Sequence, residues 1–185
     1  MSPVTHYLVS WLAANSSTRL DRRERITITA AGIISDLDGI GIIAEYLTSQ
    51  SGHPLLWWSE YHHVLGHNLV FGIIFSLIAA FWATQRLLTF GLACLSFHLH
   101  LLGDLMGSRG PDGYQWPVAY LFPFSEAWKL SWDGQWALNA WPNFLITAGA
   151  VLCVCLLTHR RGYSPMEMIS LKLDKAFVNV LRQRF

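Results

Sequence analysis

Residues 96–110 read SFHLHLLGDLMGSRG and place two histidines and an aspartate in a run that is otherwise apolar enough for a membrane. His100 and Asp104 are four residues apart, so they share one face of a helix. Ionisable groups at membrane depth are costly, and they mark functional sites by default. The stretch therefore predicts a membrane helix that carries part of a site, although the pair alone is equally well explained as a helix-stabilising hydrogen bond.

The remaining apolar segments predict a polytopic helical membrane protein. Hydrophobic residues make up 52% of the 185 residues and charged residues 14%. A spanning helix needs about 20 mostly apolar residues, with a lower limit of about 17. Three segments meet this requirement without Asp, Glu, Lys or Arg: 68–85, 87–103 and 134–158. A fourth segment, 26–47, is long enough but contains Asp36 and Asp38. We expect an all-α protein with about four membrane-embedded helices and a short N-terminal helix.

The chain reads as a single domain over residues 1–185, and its charges predict an orientation. Lys and Arg accumulate on the cytoplasmic side of membrane proteins. If the four segments alternate in direction, all the basic residues except Arg109 and Lys129 fall on one side. Residues 159–185 then form a cytoplasmic amphipathic tail, with docking on a partner helix as the alternative.

The histidines are predicted to converge at the opposite membrane face. Antiparallel neighbours bring HHVLGH, residues 62–67, next to HLHLLGD, residues 98–104, at the outer face. Asp36 and Asp38 would point in opposite directions on a regular helix, but the glycines around them suggest an irregular backbone that turns both carboxylates inward. A turn in which these aspartates cap a helix is the alternative. His6 joins the cluster if the N-terminal helix lies at the same face.

Carboxylates and imidazoles drawn together in a water-poor pocket need a compensating charge. A divalent cation supplies it, and neutral imidazole and carboxylate are ligands that zinc accepts. The sequence therefore predicts one to three divalent ions, with zinc as the preferred metal. With a net charge of +1 and no basic stripe, the chain offers no electrostatic footprint for nucleic acid.

Several motifs resemble a known family. These are THxxxxW at 5–11, SDLDG at 35–39, HHVLGH, and HLHLLGD followed by WPVAYLFPFS at 116–125. Together they are similar to bacterial membrane-associated metal-dependent hydrolases, also described as LexA-binding inner-membrane hydrolases, over residues 3–126. His100 to Asp104 is also similar, more weakly, to the signature of zinc-dependent phospholipase C.

The family resemblance implies a set of site residues: His6, Asp36, Asp38, His62, His67, His100 and Asp104. His63 stands where the family has Arg and Asn68 where it has Ser, which leaves open whether His62 or His63 binds the metal. We take those seven residues and His63 as candidate metal ligands. Asp38 is the candidate for bridging ligand or general base, and Asp36 is a second catalytic carboxylate. Arg109 is the candidate for binding the substrate phosphate, although it is equally explicable as an interfacial anchor.

The predicted function is hydrolysis of a phosphate ester or phosphodiester of a membrane lipid or lipid-linked phosphate, through metal-activated water. The site would face the outer side of the bacterial inner membrane. Two alternatives stay open: a metal that only joins the helices or is transported, and a haem held by histidines of neighbouring spans. The sequence does not identify the substrate.

Overall fold

The computed structural model describes residues 1–125 and 127–184, so residue 126 and the last residue of the predicted tail lie outside it. Within that part the protein is all-α, and β-structure is limited to two isolated bridges. The helices are α1 (Pro3–Ala14), α2 (Arg22–Ala31), α3 (Gly41–Thr48), α4 (Trp57–Tyr61), α5 (Leu69–Phe81), α6 (Arg86–Gly107), α7 (Trp141–Arg161) and α8 (Leu171–Arg184). Two short 3₁₀ segments, Ile34–Ile40 and Pro165–Met168, complete the order.

Two helices, α6 and α7, are long and apolar enough to cross a membrane, and a third span exists if α2 and the following segment up to Thr48 count as one. Within that span, α2 and the segment Ile34–Thr48 are bent by 50° relative to each other at the break between them. The predicted span 68–85 is shorter in the structure, because α5 has 13 residues and therefore covers about 20 Å. The structure thus supports two or three spans by length and composition, where the sequence predicted about four.

Helices α1, α2, α5 and α6 pack through small side chains at the level away from the histidines. Ala14, Ala31, Ala79 and Ala93 are buried there around Ile28, and small residues of this kind let helix backbones approach closely. On its other side α1 packs against α7 through Leu8, Trp11, Ala150 and Val154. The N-terminal helix is therefore part of the bundle, which brings its first turn to the end of the molecule that holds the histidines.

Local signals explain where these helices begin and end. Asp21 and Glu24 form a reciprocal capping box at the start of α2. Asn68 accepts a hydrogen bond from Phe71 N at the start of α5. Gly162, with φ of 78°, ends α7 in the left-handed conformation that favours glycine. Beyond it, α8 packs on α7 and buries Asp174 and Val178 while most of its other side chains stay exposed.

Candidate metal centre

Four side chains from three separate segments meet at one point. One ligand atom from each of Asp36, His67, His100 and Asp104 lies within 4.8 Å of the other three. Asp36 comes from the 3₁₀ segment, His67 from the turn before α5, and the other two from one face of α6. The structure thus brings residues 62–67 next to residues 98–104, as the antiparallel packing of neighbouring helices predicted, and Asp36 lies beside them.

The distances between these atoms fit one four-coordinate ion. His100 Nε2 lies 3.2 Å from His67 Nε2, 3.0 Å from Asp104 Oδ2 and 3.5 Å from Asp36 Oδ1. His67 Nε2 lies 3.6 Å from Asp104 Oδ2 and 3.9 Å from Asp36 Oδ1. Zinc bonds of about 2.0–2.2 Å at tetrahedral angles separate ligand atoms by about 3.3–3.6 Å. Small adjustments would therefore bring all four atoms to bonding distance.

His100 is oriented by a backbone carbonyl. Its Nδ1 lies 2.8 Å from Gly32 O, and because a carbonyl only accepts, the proton of a neutral His100 sits on Nδ1. The lone pair of Nε2 then points at the two carboxylates. A β-carbon at residue 32 would overlap the Ser10 hydroxyl, so glycine is what allows the end of α2 to lie this close to α1.

His67 is oriented by Asp38. One Asp38 oxygen accepts hydrogen bonds from His67 Nδ1 at 3.0 Å and Gly66 N at 3.0 Å, and the other lies 2.8 Å from His62 Nδ1. A carboxylate that holds the far nitrogen of a metal-binding imidazole fixes its tautomer and ring orientation. Asp38 lies outside the group of four, and these contacts favour a positioning role; its predicted role as bridging ligand or general base stays a prediction.

The remaining predicted histidines surround the group of four. His6 Nε2 lies 3.0 Å from Asp104 Oδ1, which also accepts from the Met1 amino group, and the His6 ring stacks on His100. His63 is buried and stacks on His67, with ring centroids 4.4 Å apart. His62, which contacts Asp38, and His63 also line the cleft beside the centre. Which of these imidazoles binds a further ion stays a prediction.

The carboxylates of the centre are incompletely compensated. Asp36 Oδ2 and Asp104 Oδ2 are buried, and among the described residues neither has a hydrogen-bond partner. A buried acceptor left without a partner costs about 1–3 kcal/mol, and more when it is charged. A cation bound among these side chains would satisfy Asp104 Oδ2 and would draw on the Asp36 carboxylate, so the residues present fit a divalent metal.

The pKa of His67 reflects the same excess of negative charge. Burial lowers the pKa of this imidazole, but the adjacent Asp104 and Asp38 carboxylates outweigh burial and raise it to about 9. Burial lowers the pKa of the neighbouring His63 to about 3, so that imidazole stays neutral. In the metal-free protein a proton on His67 supplies part of the positive charge, and metal binding requires its release.

A cleft of about 850 Å³ opens beside the centre. Its walls include Asp36, Asp104, Trp58, Trp116 and an apolar group of isoleucines. Arg109 is absent from that lining. The predicted contact of Arg109 with a substrate phosphate therefore stays a prediction.

Sequence reasoning missed two residues that hold the end of α6. Buried Gln135 donates to Asp104 O at 2.9 Å and accepts from Trp116 N at 3.2 Å. Asn143 donates to Gly107 O at 2.9 Å. Gln135 lies in an irregular segment without periodicity, so nothing in the sequence marked it. The nearest signal was the polar Asn143 in an otherwise apolar span.

Comparison with known proteins supports the membrane interpretation. The chain matches the model of the YdjM inner membrane protein family over residues 1–173, a region that contains every candidate site residue. No curated protein and no solved structure matched it. The chain belongs to the YdjM inner membrane protein family.

Proposed function

We propose that this protein is a metal-dependent hydrolase of the inner membrane that cleaves a phosphate ester or phosphodiester of a lipid-like substrate. The observation that carries the proposal is the approach of Asp36 Oδ1 and Asp104 Oδ2 to the imidazoles of His67 and His100 at spacings suited to zinc. Asp104 Oδ2 is buried and has no hydrogen-bond partner among the described residues. The four side chains account for one ion. Up to two more would recruit the surrounding imidazoles.

Each residue has a distinct part in this chemistry. A zinc ion, when bound, lowers the pKa of water to about 7 and so supplies a nucleophile at neutral pH. Asp36 is the most open of the four, with 29% of its side chain exposed, and it borders the cleft. Its carboxylate is placed to accept a proton from water that attacks a substrate there. Asp38 keeps the His67 ring in position.

The contacts at the opposite end of the bundle support the predicted orientation. Arg22 donates to Glu167 O, Arg161 donates to Asn15 O, and Glu24 accepts from Gln85 N. These contacts gather the basic segments around residues 22, 86 and 161 at one end, which the positive-inside rule assigns to the cytoplasm. His100 lies about 21 Å along α6 from Arg86, which puts the centre nearer the outer face. We therefore propose a multi-pass protein with a cytoplasmic α8.

Metal content and hydrolysis test this proposal together. Protein purified in mild detergent is analysed for bound elements and assayed against phosphatase and phospholipase substrates. We expect a stoichiometric divalent metal, lost in His100→Ala. His98→Ala is the matched control, because His98 lies on the same helix but contacts Cys94 O and the Tyr120 hydroxyl. Wild-type protein without metal would contradict the proposal.

A metal that joins the helices without catalysis, or is transported, is the second candidate, and burial of three of the four ligands favours it. Retention of metal in Asp36→Asn with loss of hydrolysis would support catalysis, whereas a metal-loaded protein inactive on every ester, or uptake of metal into proteoliposomes, would support this alternative. The two Nε2 atoms of His67 and His100 are 3.2 Å apart, which leaves no room for a porphyrin between them. The geometry therefore does not favour haem.

A further inference from the structure

Helices α3 and α4 present an apolar surface that the described chain leaves uncovered. Six of their large apolar side chains are between 41% and 79% exposed: Ile42, Ile43, Tyr46, Leu47, Trp57 and Tyr61. The four from α3 fall on one helical face, since they are spaced i, i+1, i+4 and i+5. In a member of an inner-membrane family, such a surface calls for an apolar neighbour.

Specific contacts nevertheless hold α3 and α4 together. A β-carbon at Gly41 would come within 3.0 Å of the Trp57 backbone, so glycine is required for this close approach. The Glu45 carboxylate accepts hydrogen bonds from Ser59 N at 3.0 Å and Ser59 Oγ at 2.8 Å. These contacts hold α3 against α4 while the apolar face remains free.

A groove of about 680 Å³ runs between them and continues into the metal cleft. Its lining includes Leu37, Ala44, Leu47 and Trp57, and it shares Ile40 and Ile43 with the cleft. Asp38 is its charged lining residue, and both oxygens of that carboxylate are engaged by His62, Gly66 and His67. An apolar channel that leads to a centre suited to a divalent cation matches a molecule with a hydrocarbon chain and a phosphate.

We propose that the α3–α4 groove holds a hydrocarbon chain of a membrane lipid whose phosphate lies at the metal centre. The phosphate part rests on the proposed function, whereas the chain part rests on the groove alone. Continuity with the cleft favours a lipid over a second copy of the protein, because a protein surface packed on α3 and α4 would not extend through the groove to the metal centre.

Photocrosslinking tests the groove without requiring turnover. The protein is placed in vesicles of phosphatidylethanolamine and phosphatidylglycerol with a phosphatidic acid that carries a diazirine in one acyl chain, and adducts are mapped by mass spectrometry. We expect adducts to concentrate on residues 37–65. Ala44→Trp, which fills the groove, should lower their yield by about tenfold, equivalent to about 1.4 kcal/mol of binding free energy.

Two further variants control for folding and surface effects. Leu47 is 75% exposed, so Leu47→Ser should fold normally and still reduce the adducts. Leu87→Trp adds the same side chain at an exposed apolar position beside Arg86, at the opposite end, and should change nothing. Adducts no more frequent on 37–65 than on α7, adducts unaffected by Ala44→Trp, or a crosslink between two protein copies would overturn the proposal.

Turnover of the same phosphatidic acid, measured in parallel, separates the two proposals. Groove adducts on metal-loaded protein that is inactive on every ester tested would contradict the hydrolase and leave the groove standing. Hydrolysis without groove adducts would do the reverse.

Discussion

Two buried acidic clusters lie at opposite ends of the bundle, and they are completed differently. Glu167 receives Arg25 Nε at 2.9 Å and a second guanidinium nitrogen at 2.6 Å, and Trp11 Nε1 lies 3.3 Å away. Asp104 is equally buried, but its Oδ2 has no hydrogen bond among the described residues and lies 3.0 Å from His100 Nε2. Its Oδ1 contacts His6 and the Met1 amino group. The Glu167 carboxylate is neutralised by the Arg25 guanidinium, whereas Asp104 keeps an oxygen that a cation could bind. The contrast separates a cluster built for stability from one built for binding.

The largest expected effect is a loss of metal affinity in the cluster around Asp104. Asp104→Asn keeps the size of the side chain but removes its charge and one metal-binding oxygen. We expect metal affinity to fall by more than the roughly 10–100-fold typical of residues that only orient a ligand. Elemental analysis of the purified variant measures this, and stoichiometric metal in Asp104→Asn would show that the centre is not where the geometry places it.

A substitution in the cluster around Glu167 should instead lower stability and leave metal binding unchanged. Glu167→Gln leaves the Arg25 guanidinium buried without its counter-charge, and breaking a buried pair in this way costs about 3–5 kcal/mol. We expect a lower thermal midpoint in detergent with unchanged metal content. A variant that unfolds at the wild-type temperature, or that loses metal while folded, would break the proposed division between the two ends.

A smaller loss of metal affinity is expected at Asp38, and its size tests whether Asp38 positions a ligand or is one. Because its oxygens hold His67 and His62 through hydrogen bonds, Asp38→Asn should weaken metal binding by about 10–100-fold without abolishing it. Competition with a chelator of known affinity measures the change. Complete loss of metal would instead support the sequence-based prediction that Asp38 is itself a ligand.

The smallest effect is expected at Arg109. Since its side chain does not line the cleft, Arg109→Ala should leave metal content unchanged. It should alter KM by an amount equivalent to about 0–1 kcal/mol, the contribution typical of a charge near the surface. Steady-state kinetics on a hydrolysed phosphate ester give the answer. A large rise in KM would restore Arg109 as the phosphate-binding residue.

The sequence predicted which residues meet at the centre better than it predicted what each of them does there. Helical spacing places His100 and Asp104 on one face, and antiparallel packing brings His67 to them, because both relations follow from regular geometry. The glycines around Asp36 and Asp38 likewise predicted a break, and the structure has the 3₁₀ segment Ile34–Ile40 there. Only three-dimensional contacts could separate Asp36, which reaches the centre, from Asp38, which holds its neighbour.

Span lengths were harder to predict, since hydropathy does not locate the residues at which helices end. The apolar run 68–85 continues past Phe81, yet α5 ends there and a turn leads to α6. The segment 134–158 looked continuous, but α7 begins at Trp141 and the preceding residues form an irregular connection that includes Gln135. Local polar contacts decide these boundaries, and they leave no periodic signal.

Gly32 has a consequence that reaches beyond helix packing. Its carbonyl fixes the tautomer of His100, and its missing side chain makes room for Ser10. An alanine at this position would push α2 from α1 and carry the carbonyl away with it, freeing the imidazole to exchange its proton between the two nitrogens. A single methyl group that clashes with Ser10, and not with a metal-binding side chain, would thus disable a ligand by changing its protonation rather than by removing it.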